Sequence, residues 1–275
     1  MPTPQFAFGI PLKSRRIAKD WDDTLRIFRR TLSSVLRQTN PQFRVFVGCH
    51  EVPDVPEMAD SRVEVLTASW DIPVYKSQLM LDKHMKRELV AVRWRQLGGG
   101  YMMYVDYDDL VSNRIVQYIL THTPRRGWLA WWGWDYSERT NRIASSPRFH
   151  RTCGTNCAIN WQPSELPETL FQRDDVLFRR TIDVGNNGTA ELFRRRGEPL
   201  TSFPFPAVTY VREHGDNATN ILLTDGWRRR LIRKLTPTRA VTAAIRQEFG
   251  LVSAGERPEE ISGPVMAAMP RRRSR

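Results

Sequence analysis

The stretch GGGYMMYVDYDDLVSNRI, residues 98–115, decides how the chain is read. An apolar and aromatic run, Tyr101–Val105, leads straight into three acids packed within four positions: Asp106, Asp108 and Asp109. Neighbouring carboxylates repel one another, and desolvating them unpaired is costly. A strand that ends this way needs a reason for its charge. One is a hard divalent cation, Mg²⁺ or Mn²⁺, which takes oxygen ligands and keeps open positions for phosphate oxygens and water. The other is structural: Asp is a favoured helix N-cap, so Asp109 could cap a helix running from about residue 113 to 121.

Working back from this stretch, FAFGIPL (6–12) is short, apolar and ends at a proline, as a buried strand does. WDDTLRIFRRTLSSVLRQTNP follows, with Leu25, Phe28, Leu32 and Val35 at helical spacing and Asn40-Pro41 ending the run. FRVFVGCHE (43–51) and SRVEVLTA (61–68) read as two further strands. SQLMLDKHMKRELVAVRWRQLGGG reads as a helix with the stripe Leu81, Met85, Leu89, Val92, stopped at Gly98–Gly100. The order strand, helix, strand, strand, helix, strand, helix argues for an α/β domain with a mainly parallel sheet. Ligands in such sheets gather at the carboxyl ends of strands, where the acids lie.

The second half is less regular. GWLAWWGWDYSE (127–138) alternates, placing Trp128, Trp132 and Trp134 on one face; such a face stacks on a sugar or packs into a core. RFHRTCGTNCAINW (148–161) reads as strand, glycine turn, strand, and FPFPAVTYVREHGDN (203–217) as a proline-entered strand with a polar exit. We divide the chain into 1–122, 123–226 and a basic amphipathic helix and tail, 227–275.

The 275 residues are 40% hydrophobic, with nine Trp and twelve Phe, enough for a sizeable core. The net charge of +12 invites a polyanion partner. The charge is uneven, however. Residues 227–275 hold twelve Lys/Arg against four Glu, a surplus of eight, so two-thirds of it sits in the last fifth of the chain. A basic tail of this kind points to attachment at an anionic membrane surface, or to nothing more than solubility and a solvated packing helix, and not to a nucleic-acid groove. Three cysteines, Cys49, Cys153 and Cys157, fit a reducing compartment. Cys153 and Cys157 lack a further Cys/His pair at zinc spacing. The N-terminal stretch has no long apolar run, and none elsewhere approaches the ~18–20 residues that span a bilayer. The expected location is the cytoplasm, peripheral on the inner membrane face.

Three segments carry a resemblance: FGIPL, RTLSSVLRQTNPQFRVFV and VDYDDLV. Together they resemble the nucleotide-sugar half of GT-A glycosyltransferases of the family 2 type, with its L-x-S-x-L-x-Q-T-x-P and L-D-x-D-D patterns. PFPAVTYVREHGDN is similar to a bacterial rhamnosyltransferase subgroup. The resemblance implies a GT-A fold, a Rossmann-like mixed and mainly parallel sheet flanked by helices, here with a basic helical C-terminal extension. It implies a sugar moved from a nucleotide-diphosphate sugar donor to a glycan or lipid-linked acceptor, with Mn²⁺ or Mg²⁺ as cofactor.

By the same resemblance Asp106 lies on the ribose side and Asp108 on the metal. Asp109 is a second ligand or a helix cap, and His214 is the third ligand. Asp175, in RDDVLFRRTI, stands where the family places its base, with Asp135 as a second candidate and an acidic first helical turn as the structural alternative. Pro11 closes the first strand beside the donor. His50 and Glu51 replace an acidic pair that reads the nucleobase in many relatives. Lys83, Lys86 and Arg87 reach phosphate, or form a solvated helix face. Gly154 and Thr155 line the acceptor pocket, with Trp134. A nucleotidyltransferase on a related fold would want a glycine-rich, arginine-containing loop after the first strand. A basic nucleic-acid-binding protein would use the acidic loop only structurally.

Overall fold

The computed structural model describes residues 6–123, 125–171, 175–212 and 237–251. The alternation expected from the sequence is present: β1 (Phe6–Pro11), α1 (Trp21–Leu36), β2 (Arg44–Cys49), β3 (Val63–Thr67), α2 (Leu79–Gln96) and β4 (Gly100–Tyr104). After a turn come β5 (Asp109–Val111), α3 (Ile115–Thr121), β6 (Gly127–Leu129), β7 (Trp132–Ser137), β8 (Arg142–Pro147) and β9 (Cys157–Trp161). The chain continues through α4 (Leu177–Arg195), β10 (Thr201–Ser202), β11 (Val208–Arg212), β12 (Arg239–Ala240) and α5 (Ala243–Phe249).

Seven strands form the main sheet in the order β10-β6-β9-β4-β1-β2-β3. β3, β2, β1 and β4 are mutually parallel, while β9 runs antiparallel to both β4 and β6. The fold is thus mixed α/β with a mainly parallel sheet, as expected. Both faces are covered, which is why β1 is apolar at every position rather than alternating. Phe6, Phe8 and Ile10 join the core beneath α1 and α3, with Phe28, Leu32, Val35, Ile115 and Val116. Ala7 points the other way, toward Val90 and Trp94 of α2 and Phe178 and Phe193 of α4.

From β1 the chain winds outward to β2 and β3, then crosses back to place β4 on the other side of β1. That reversal opens a crevice between the carboxyl ends of β1 and β4, the usual place for a ligand in such a sheet. Gly98, Gly99 and Gly100, the last of them opening β4, take positive φ (96°, 72° and 118°), a conformation that ends α2 without strain.

Five short strands form a second sheet, β12-β8-β7-β11-β5, around Leu110, Tyr136, Ile143, Val211, Val241 and Phe249. Strands from both sides of residue 122 share each sheet. β6, β9 and β10 complete the main one, while β5 belongs to the second. Of the basic region from 227 onward, residues 237–251 are built into the second sheet's core through β12, Val241 and Phe249. The remainder lies outside the described residues.

The stripe expected on α2 is one position out. Its buried face is Asp82, Lys86, Val90, Ala91 and Trp94, and Leu81 is exposed. The carboxyl-terminal half packs on the sheet, but the first turns run past the ends of the strands. There the helix buries an i,i+4 ion pair instead of leucines.

Candidate active site and metal centre

The acids sit on the turn that joins the two sheets. Val105 continues the β1 ladder by donating to the Gly9 carbonyl (2.9 Å), and Asp109 closes the turn by donating to the Asp106 carbonyl (3.0 Å). Asp109 then opens β5. It does not cap α3, whose N-cap is Arg114; the rest of β5 and two further residues intervene, and this half of the sequence-based alternative is corrected.

Strand membership buries Asp109, and a loop from the second half meets it there. Thr155 Oγ1 (2.6 Å) and Cys153 Sγ (2.9 Å) both donate to Asp109 Oδ2. Thr155 Oγ1 also accepts from the Asp106 backbone N–H (2.8 Å). The second carboxylate oxygen, Asp109 Oδ1, is buried and has no hydrogen-bond partner among the described residues. Burial holds the Asp109 carboxyl well above its ordinary pKa, and the charges of Asp108 and Asp106 add to this; the two hydrogen bonds pull the other way. The Cys153 thiol is likewise pushed up, first by burial and then by Asp109.

Asp106, Asp108 and Asp109 can each bring one oxygen within 4.8 Å of the others. An all-oxygen set of that span suits a hard divalent cation. The orphaned Oδ1 is the atom that such an ion would satisfy, so the residues present fit the metal.

Cations ring the turn. Lys83 Nζ lies 2.7 Å from Asp106 Oδ1. Lys13, just past β1, has its pKa lowered to about 8 by burial, against the opposing pull of Asp108, and lies 5.4 Å from the centre of the Tyr107 ring. Gly154 presses on Asp106 from behind: a β-carbon there would fall 2.4 Å from Asp106 Oδ2.

Other expected site residues have different work. Thr155 is fully buried and holds Asp106 and Asp109, so it is not a surface for an acceptor. Lys86 is not free to reach phosphate. Its Nζ is buried between Asp82 Oδ2 (2.6 Å) and the Leu12 carbonyl (2.9 Å), at the end of β1 beyond Pro11. Asp82 Oδ1 also receives Trp70 Nε1 (3.0 Å) and contacts His50 Nε2 (2.8 Å). Glu51 pins the loop after β1, accepting from Ser14 Oγ (2.7 Å) and the Arg15 N–H (3.1 Å).

Asp175, the expected base, is exposed before α4 and paired with Arg180, whose guanidinium lowers its pKa. That is the wrong direction for a group that must take a proton. Asp135 on β7 is paired with Arg212. The three tryptophans do not share a face: Trp128 is core in the main sheet, whereas Trp132 and Trp134 lie on β7 in the second sheet. Trp134 lies under the Arg239 guanidinium (4.6 Å). His214 falls outside the described residues.

Sequence reasoning missed Asp82 and Lys13. The Asp82/Lys86 spacing was a usable signal, since i,i+4 pairs of opposite charge meet on one helix face.

No protein-family model and no curated protein matches the chain. Solved structures do. One is described as a nucleotide-diphospho-sugar transferase from Desulfovibrio desulfuricans G20, with 10% identity, a TM-score of 0.38, and coverage of 85% of this chain and 95% of that one. Another is glucosyl-3-phosphoglycerate synthase from Mycobacterium tuberculosis with Mg²⁺ and uridine-diphosphate, with 11% identity, a TM-score of 0.36, and coverage of 92% and 82%. A nucleotidyl transferase from Methanothermobacter thermautotroptrophicus covers 84% and 97%, with 14% identity and a TM-score of 0.35. Likenesses this distant do not assign an activity.

Among the described residues no helix is long and apolar enough to cross a membrane.

Proposed function

We propose that this chain is a metal-dependent glycosyltransferase, moving a sugar from a nucleotide-diphosphate donor to a hydroxyl of a glycan or glycolipid. The observation that carries the reading is the acidic turn. Three carboxylates stand at the crevice between β1 and β4, and one of them is buried with an oxygen that no described group satisfies. Burying a carboxylate that way is costly unless a cation arrives.

Asp108 and Asp109 would hold the ion, which when bound neutralises the diphosphate of the leaving nucleotide. Asp106 faces the ribose, a role taken from the resemblance. Thr155 and Cys153 hold Asp109 in place through Oδ2, leaving Oδ1 for the cation. Lys83 neutralises Asp106 before the donor arrives and supplies a mobile positive charge for phosphate afterwards. His214, Pro11 and Glu51 remain candidates for a third ligand and for donor contacts. The transferred sugar is a hexose, rhamnose on the resemblance of the 204–217 segment. The setting is surface polysaccharide assembly, with the protein in the cytoplasm and the basic tail toward the inner membrane face.

The test is hydrolysis of UDP- and dTDP-sugars by the full chain, with Mn²⁺ or Mg²⁺ and with chelator. Turnover should need the metal and be lost in Asp108→Ala. Full activity in that variant, or undiminished activity in chelator, would overturn the reading.

A further inference from the structure

Arg87 lies one turn along α2 from Lys83, and among the described residues no carboxylate forms an ion pair with its guanidinium. Its carbon lies 4.4 Å from the centre of the Tyr104 ring. Its Nε is buried without a hydrogen-bond partner, and no carboxylate among the described residues pairs with it. Guanidinium is always charged, and an aromatic face orients it without satisfying its in-plane N–H groups. Arg87 as a whole is half-buried, but chains seldom leave even one guanidinium N–H buried and unpaired without use for it.

The guanidinium lines a pocket on the α2 and α4 side of the sheet, between Tyr104, Trp161, Phe178 and Asn186. None of the described lining residues is acidic. Gly154 forms part of the same wall and also abuts the Asp106 carboxylate. The pocket is therefore next door to the acidic turn but distinct from it: one carries negative charge, the other positive.

We infer that this pocket receives a carboxylate or phosphate group of the acceptor, making the acceptor an anionic sugar or sugar-lipid and not a neutral glycan. The planar fork of Arg87 matches either group in a bidentate way. The inference rests on the donor reading above, which gives the acidic turn to the nucleotide side.

Thermal-shift and calorimetric titrations of the full chain test it, with glucuronate and inorganic phosphate as probes, glucose as the neutral control, and ionic strength held constant. Wild type should respond to both anions and not to glucose. Arg87→Gln should weaken the anions roughly tenfold or more, with Arg87→Lys in between. Asn186→Asp keeps Arg87 but sets a carboxylate in the pocket, and should weaken them similarly, which guards against an Arg87 variant that folds poorly. Anion binding should survive in Asp108→Asn and in the presence of saturating UDP with Mg²⁺.

No anion-specific response, or undiminished binding in Arg87→Gln or Asn186→Asp, would overturn the inference. Displacement of the anions by UDP with Mg²⁺ would also overturn it, by giving Arg87 to the donor's phosphates. Failure of UDP itself to bind would sink the donor reading instead, and the two failures are read from separate titrations.

Discussion

Lys83 Nζ rests 2.7 Å from Asp106 Oδ1, while Gly154 leaves just enough room for Asp106 Oδ2 on the other side. One carboxylate is thus held between a movable cation and an immovable backbone. The two neighbours constrain it differently, and substitutions at each should separate charge from position.

Replacing Lys83 with Met removes the cation. The pair is partly exposed, so its contribution to stability is about 1 kcal/mol or less and melting should barely change. Binding should change in opposite senses. Mn²⁺ alone should bind a few-fold tighter, because Asp106 is no longer neutralised. UDP in the presence of metal should bind roughly tenfold weaker, for want of a charge on its phosphates. Calorimetric titration of both ligands reads this, and changes of the same sign would show that Lys83 is not shared between Asp106 and the donor.

Gly154→Ala displaces Asp106 without touching its charge. The backbone of Asp106 is tied to Thr155, so its side chain must move. A shift of about 1 Å at a positioning group costs roughly 10²-fold in rate, whereas overpacking of this kind costs about 1–3 kcal/mol in stability. Donor hydrolysis should fall sharply in a protein that still folds. Combining it with Asp106→Ala should cost little more than Asp106→Ala alone, since the two act through one carboxylate. Additive losses would place the effect of Gly154 elsewhere.

His84, also on α2, gives the pH dependence. Burial lowers its pKa to about 4, and Arg87 and Lys83 push the same way, with Asp183 opposing. The folded value lies below the ordinary 6.5, so the unfolded chain takes up the proton first as pH falls. The stability this neutral ring contributes is present above pH 6.5 and is lost as pH falls through about 4. Solvent reaches part of the ring and screens its neighbours. We therefore expect His84→Gln to reduce the acid-side drop in melting temperature by about 2–4 °C, the effect of roughly 1 kcal/mol. Melting curves from pH 8 to 4.5 measure it, and parallel profiles for the two proteins would contradict it.

The α/β alternation was legible because β1, α1 and β2 carry their periods in local sequence, as Phe28, Leu32 and Val35 show. The acidic turn was legible because an apolar strand runs into it. What the chain does with Asp109 was not. β5 is three residues long, too short to announce itself, and the groups that hold Asp109 are Cys153 and Thr155, more than forty residues on. Periodicity reports which face of an element is apolar; it does not report which distant hydroxyl will arrive there. The α2 stripe was misread for a related reason. A helix that passes the end of a sheet can bury Asp82 and Lys86 where leucines would be expected.

Asp82 gives the strongest stability prediction. One buried carboxylate receives Lys86, Trp70 and His50, and binds the end of β2 and the loop after β3 to α2. Burial lowers the Lys86 pKa, and Asp82 opposes it most, with Cys49 and Glu51 adding to the opposing pull. Asp82→Ala leaves a buried ammonium with the Leu12 carbonyl and no counter-ion, at a cost of about 3–5 kcal/mol. Removing the charge as well, in Asp82→Ala/Lys86→Met, should recover much of that loss, because the methionine fills similar volume and needs no partner. Urea unfolding of the two single variants and the double variant gives the coupling directly. A double variant as unstable as the sum of its parts would mean that Asp82 acts through Trp70 and His50, and not through the buried lysine.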